Sequence, residues 1–222
     1  YEPERGLRFW EDAVARVRAL PGVTSAATSS PSVPLEFNFN TTEVRPDNRT
    51  YVDDQRGEVV ENLFVSAGFV PTLGLRVLDG RDLDGTDRTG APLVALVNET
   101  MARRYWPGES AVGHMFEAAT TGEQYRIVGV VSDHTRHSVL EAPAPFVYYA
   151  SAQRPTRYNY LIARTTGDAG TLVATMRREL LAMEPGLVFM ADQTMVESLE
   201  ATLMPARVGA WLVTAFGALG TL

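Results

Sequence analysis

The residues with the most definite chemical spelling are Asp82-Leu83-Asp84-Gly85-Thr86. In such an order the first aspartate could attack a phosphoryl group and the second could serve as a general acid. That chemistry needs the pair at the tip of a buried parallel strand. The preceding Val77-Leu78-Asp79-Gly80-Arg81 does not read as one. It also needs a later basic residue against the phosphorylated aspartate and a further acidic cluster for Mg²⁺. The chain contains no lysine, and no acidic pair follows on a strand end. The same turn, with Asp79 and Asp87, fails as a calcium loop. Counted from Asp82, position six is Asp87 and position twelve is Leu93, where glycine and glutamate are required. A solvated acidic turn is the expectation.

A second candidate is Asp133-His134-Thr135-Arg136-His137. Zinc takes at least three protein ligands, and the only other histidine is His114. The segment reads as a polar loop after a strand. There is no GxSxG and no glycine-rich dinucleotide loop. No catalytic, cofactor-binding or metal-binding residue is therefore assigned, no cofactor is expected, and the chain is read as a non-enzyme.

Composition narrows the field in the same direction. With 222 residues, 45% hydrophobic and 21% charged, the chain can build a sizeable core. A net charge of −7 argues against a nucleic-acid partner. The absence of cysteine removes disulfides, thiol nucleophiles and Cys-ligated metals. All twenty basic residues are arginine, so Schiff-base chemistry and Walker-type phosphate loops are excluded within this chain.

The elements follow from periodicity. Glu4 to Leu20 predicts an amphipathic helix, with Leu7, Trp10, Ala13, Val14, Val17 and Leu20 on one face and Pro21-Gly22 as its stop. Strands are predicted over 23–29, 41–45, 58–66 and 93–97, with a short helix over 67–73 closed by Gly74. Residues 79–90 read as a loop. Asn98 predicts a helix cap, and Trp106-Pro107-Gly108 its end. Residues 113–118 and 125–132 read as paired strands, 133–145 as irregular, 146–149 and 158–164 as strands. Asp168 caps a further helix that ends at Pro185-Gly186, and 187–190 reads as a strand, completing a βαβ-like unit. The first helix and strand 23–29 look like half of another such unit, whose first strand lies upstream of Tyr1. Thr194-Met195-Val196-Glu197 spells a capping box. The run Val208 to Leu222 carries no charge and reads as the start of a membrane-spanning helix.

Several blocks are familiar in combination. They are Ala19-Leu-Pro-Gly-Val23 with Ala26-Ala27, Val65-Ser-Ala-Gly-Phe69 with Leu73-Gly74, and Gly80-Arg-Asp-Leu83. The strongest is Leu93-Val-Ala-Leu-Val-Asn-Glu99 with Ala102-Arg-Arg-Tyr-Trp-Pro-Gly108 and Val112-Gly113. Tyr125-Arg-Ile-Val-Gly-Val-Val131 with Asp133 and Arg136 follows, then Pro145 with Tyr148, Arg164-Thr165 and Asp192-Gln-Thr-Met195. In this order, over nearly the whole chain, they resemble the MacB-like periplasmic core domain of FtsX/MacB-type ABC-transporter permeases. The subtype is similar to the large permeases of acidobacteria and related soil bacteria, which lack a fused ATPase.

The resemblance implies an α+β fold in two parts. A βαβ-type, Porter-like subdomain would take residues 1–86 and 145–203. A strand-rich, Sabre-like lobe would be inserted at 87–144, and 204–222 would begin a transmembrane helix. It further implies a place on the extracytoplasmic side of the bacterial inner membrane, with one span before the domain and three after it. The implied partners are a separate cytoplasmic ABC ATPase, a second permease copy, the lipid bilayer, and a periplasmic partner or substrate. The implied work is coupling of ATP hydrolysis to periplasmic movement, by way of helix 194–206, which Pro205 would kink. A periplasmic ligand-binding or sensor module is the alternative. A haloacid-dehalogenase-type phosphatase built on Asp82 and Asp84 is a remote one.

Overall fold

The computed structural model describes residues 3–30, 40–51, 57–134, 142–156, 159–198 and 200. It divides into two compact units, Tyr1–Gly167 and Asp168–Leu222. In the first, helix α1 spans Pro3–Arg18 and buries Ala13, Val14 and Val17, which recur at helical spacing. Strands β1 (Val23–Ser30), β2 (Thr41–Pro46) and β3 (Glu58–Val65) follow, then the short helix α2 (Phe69–Leu73) and strand β4 (Val77–Gly80). Next come β5 (Val94–Asn98), helix α3 (Glu99–Tyr105), β6 (Met115–Ala118), β7 (Glu123–Val131), β8 (Phe146–Ala150) and β9 (Tyr160–Thr165).

The nine strands form one sheet in the order β2-β6-β7-β5-β8-β3-β1-β9, with β4 attached to β7. Strand β2 pairs a second time, with β3: Thr42 lies opposite Val60 while Val44 lies opposite Ala118 of β6. The path from β3 through β8, β5, β7 and β6 therefore returns to its start, and six strands close into a small barrel. Its ladders are mixed: β3–β8 and β5–β7 are parallel, the other four antiparallel. Strands β1 and β9 extend from β3 as an antiparallel flap.

Side chains alternate along a strand, so every second residue of the barrel points inward. Val44, Val60, Ala95, Val97, Phe116, Ala118, Tyr125, Ile127, Val147 and Tyr149 make that inner set, and all are buried in one cluster. Three rings form its centre: Tyr125 and Tyr149 have centroids 4.7 Å apart, and Phe116 stacks on Tyr125 at 5.5 Å. Met101, Tyr105 and Trp106 of α3 and the turn after it join the same cluster. The interior is filled by side chains, as expected for a barrel this narrow. The opposite strand faces carry a second cluster, in which Leu63, Val65, Leu96, Phe146 and Tyr148 pack with Phe69 and Val70 of α2 and with Leu83.

In the second unit, helix α4 (Ala169–Met183) starts at Asp168, whose carboxylate accepts the Thr171 N–H at 2.7 Å. The expected capping box forms: Thr194 donates its N–H and hydroxyl to Glu197, and the Glu197 N–H returns to the Thr194 hydroxyl.

Two expectations change. The start of the 79–90 loop belongs to β4, which pairs antiparallel with β7 although all four of its residues are exposed. Residues 187–190 form no strand, so the βαβ-like unit after residue 158 lacks its last member. A four-residue apolar run carries no register of its own, and it becomes a strand only where an edge receives it. Leu199, Leu203, Pro205 and the run 204–222 lie outside the described residues. Among the described residues no helix is long and apolar enough to cross a membrane.

Candidate functional site

The DxDGT turn lies just after β4, an exposed antiparallel edge strand, rather than at the tip of a buried parallel one. Leu83, between the two aspartates, is buried and holds the turn against the core. Arg81 grips Asp87 with both guanidinium nitrogens, at 2.7 and 2.8 Å, and Asp87 also accepts the Asp84 N–H at 2.9 Å. This bidentate pairing, with Asp87 only 5% exposed, is the strongest interaction of the loop. The hydroxyl and N–H of Thr86 both bond to Asp84 and hold its carboxyl below the ordinary range. Burial pushes Asp82 up. These contacts close the turn on itself, and the geometry of a phosphotransferase is not there. Purified protein with Mg²⁺ should show no phosphatase turnover above the buffer rate, and Asp82→Ala should change nothing. A turnover that Asp82→Ala abolishes would overturn this reading.

Asp133 and His134 also prove to be joints. Asn98 ends β5 and caps α3 by accepting the Met101 N–H at 2.9 Å. The same amide oxygen accepts the Phe146 N–H at 2.9 Å. Its nitrogen donates to Asp133 at 2.7 Å and to the Ala144 carbonyl at 2.8 Å. All four hydrogen-bonding positions of this side chain are used, and it is 1% exposed. Asp133 in turn accepts the N–H of Thr100 at 2.9 Å and its hydroxyl at 2.7 Å. One amide and one carboxylate thus tie together the ends of β5 and β7, the start of α3 and the start of β8. His134 places Nδ1 2.7 Å from the Tyr148 hydroxyl and its ring edge-on to Phe146. Arg136 and His137 lie outside the described residues. Among the described residues no three His, Asp or Glu groups are arranged to hold a metal ion.

Two further joints leave no clear mark in the sequence. Asp47, in the turn after β2, accepts the Met115 N–H at 2.7 Å, the Trp106 indole N–H at 3.1 Å and a contact from His114 at 3.1 Å. Burial raises its carboxyl, but these three donors outweigh burial and leave it below the ordinary range. The only sequence signal is an aspartate in a polar turn, which names no partner. The other joint holds α2 at both ends. Arg18 donates to the carbonyls of Ala26 and Ala67, at 2.9 and 2.8 Å, and Arg164 donates to the carbonyl of Thr72 at 3.2 Å. The caps of α2, Gly68 and Gly74, have φ of +85° and +79°, and a Cβ on either would run into those guanidinium groups. Helix α1 and strand β9 therefore hold α2 between them by backbone carbonyls.

The buried side chains of Asn98 and Asp87 are thus spent on internal ties. Residues 3–181 match the family model of the MacB-like periplasmic core domain. The chain belongs to that family. It is the extracytoplasmic core domain of a permease of the MacB/FtsX ABC-transporter type. Its fold is similar to that of the periplasmic region of MacB from Actinobacillus actinomycetemcomitans. There the identity is 12%, the TM-score 0.57, and the match covers 86% of this chain and 82% of that one. It is also similar to the extracellular domain of the noncanonic ABC-type transporter YknZ from Gram-positive bacteria, at 15% identity and TM-score 0.53, covering 79% of this chain and 83% of that one. No curated protein matches the sequence significantly.

Two of the family's sequence blocks acquire a physical reason in this MacB-like domain. Leu93 to Glu99 supplies β5 and the Asn98 cap, and Tyr125 to Val131 supplies β7. These strands lie side by side in the barrel, and the Asn98–Asp133 bond joins their ends.

Proposed function

We propose that this domain is a rigid transmitter of movement, and not an enzyme. A separate cytoplasmic ABC ATPase would supply the work, and two permease copies would move their periplasmic domains against each other. The C-terminal run from residue 204 would enter the bilayer, carrying tilt or piston motion to the folded body through the helix that opens at Thr194. The observation that carries this reading is the backbone pairing that runs from β9 to β1, from β1 to β3 at Ser29–Val65 and Ser30–Phe64, and from β3 into a closed barrel. Backbone hydrogen bonds and a filled core transmit displacement without absorbing it. The flap's own helices are tied to it by Arg18 and Arg164.

The division into a Porter-like part at 1–86 and 145–203 and an inserted lobe at 87–144 belongs to the same proposal. The barrel ladders supply a motive for drawing the strand-rich lobe wider, since β2, β3 and β8 pair with strands of the inserted segment or with one another. A ligand-binding module is the weaker reading, because Phe116, Tyr125 and Tyr149 occupy the centre of the barrel.

These 222 residues hold no cysteine, so the domain itself adds no background to a single label once cysteines elsewhere in the transporter are replaced. In the assembled transporter, spin labels at Thr120→Cys on two copies should change their separation when ATP binds. A flexible Gly-Ser insertion at Pro205 should abolish that change and leave ATP hydrolysis running. An ATP-driven separation unaltered by the insertion would refute coupling through this helix.

A further inference from the structure

We infer that α2 is a wedge that fixes the angle between the β1–β9 flap and the barrel, with Arg18 and Arg164 as the positioning residues that lock it to the flap. The inference rests on the transmitter reading, which needs flap and barrel to keep one angle.

The strand ladder alone does not fix that angle. Within the flap β1 and β9 pair at six positions, from Val23–Thr165 to Ser29–Tyr160. Among the described residues β1 meets β3 only at Ser29–Val65 and Ser30–Phe64. Next to these pairs Ser66 donates its N–H to the Thr28 carbonyl, and the Thr28 N–H donates to the Ser66 hydroxyl. Neighbouring strands twist on one another by anything from about 10° to about 35°, and so short a join leaves that twist free to vary. Strand β1 has eight residues, a length of about 26 Å, so a change of about 15° at the join swings its far end by roughly 7 Å.

Helix α2 fills this angle. It follows β3 in the chain and packs on both β1 and β9. Its hold on the barrel is apolar: Phe69 and Val70 are buried with Leu63, Leu96 and Tyr148, and the Phe69 and Tyr148 rings lie 5.9 Å apart. To that cluster the flap adds Ala27 and the half-buried Ile162. Apolar contact follows area rather than direction, so two such residues set no angle. The directional hold comes from two guanidinium groups. Arg18, at the end of α1, donates Nε to the Ala26 carbonyl of β1 and Nη2 to the Ala67 carbonyl just before α2, at 2.9 and 2.8 Å. Arg164 of β9 donates Nε to the Thr72 carbonyl, near the other end of α2, at 3.2 Å. One planar fork therefore spans flap and wedge, and a second pins the wedge at its far end. A lysine in place of Arg18 would bring the charge but a single point of donation on a flexible stem, which cannot fix two carbonyls relative to each other.

Spin-label distances within the 222-residue chain, which holds no cysteine of its own, test the inference. Thr166→Cys labels the exposed far end of the flap, and Thr120→Cys the exposed turn between β6 and β7. The parent should give one narrow distance distribution. Arg18→Met combined with Arg164→Met should broaden it about twofold. The urea midpoint should hardly move, because both arginines are exposed and lie outside the apolar cluster. Arg18→Lys should broaden the distribution nearly as much as Arg18→Met. A double variant with the parent's distribution would overturn the inference, whether or not its urea midpoint falls. So would a lysine variant that keeps the parent's width where the methionine variant does not, since charge and not the fork would then be the tie. Neither ATP nor a second copy enters this measurement. It can therefore fail while the ATP-driven separation of Thr120 labels still holds, and the reverse.

Discussion

Replacing Asn98 with alanine is expected to lower the stability of the domain by about 3–4 kcal/mol, seen as a lower midpoint in urea. The loss is large because the substitution strips partners from four groups at once: the N–H groups of Met101 and Phe146, the Ala144 carbonyl and the Asp133 carboxylate. Each buried polar group left alone costs roughly 1–3 kcal/mol, and water can reach only some of them. Asn98→Asp separates shape from chemistry. It keeps the volume and the two accepted N–H bonds, but it faces the Ala144 carbonyl and Asp133 with oxygen. At neutral pH it should be nearly as damaging as alanine. Burial and the neighbouring carboxylate favour the neutral form of the new group. The variant should therefore regain stability as the pH falls and its carboxyl takes up a proton. An Asn98→Ala protein within about 1 kcal/mol of the parent would show that the four ties do not hold the barrel end together.

The second large effect lies in the barrel interior. Phe116→Ala should cost about 3–5 kcal/mol, since the side chain is fully buried and the closed ladder leaves little room for collapse around the gap. The two tyrosines beside it should make the barrel sensitive to alkali. Burial pushes the phenols of Tyr125 and Tyr149 up to about 12. An unfolded phenol titrates near pH 10. A folded pKa above the unfolded one means a contribution fully present below about pH 10 and lost as the pH rises toward 12. Each phenol can contribute at most about 2–3 kcal/mol to that fall. Stability should thus decline over this window, with the part of the tyrosinate absorbance that belongs to Tyr125 and Tyr149 appearing together with unfolding. Tyr149→Phe should flatten the decline. Ionisation of both phenols in a still-folded protein would contradict the burial that the structure shows.

Both effects concern residues whose positions are legible in the sequence and whose partners are not. Asn98 reads as a helix cap from its place between an apolar run and a helical one, and it is one. That it also holds Phe146 and Asp133 depends on chain segments dozens of residues away. Phe116 and Tyr125 read as members of paired strands, and they do pair. Their meeting with Tyr149 requires β8 to enter between β3 and β5. The DxDGT order is legible as letters only. Its chemistry is decided by β4 lying exposed and by Arg81 closing on Asp87.

By itself the sequence determined what is local: the helical periodicity of α1, the caps at Asn98, Asp168 and Thr194, the stop at Gly74, and the order of blocks that marks the family. Each of these is settled within a few residues, where backbone dihedrals and nearest side chains dominate. Tertiary structure alone decided that β2 has two partners, that six strands close, and that β4 is a strand at all. The physical reason is that an alternating strand shows which of its faces is apolar but carries no mark of the neighbour it will bond. That choice is made by packing between distant segments when the barrel shuts.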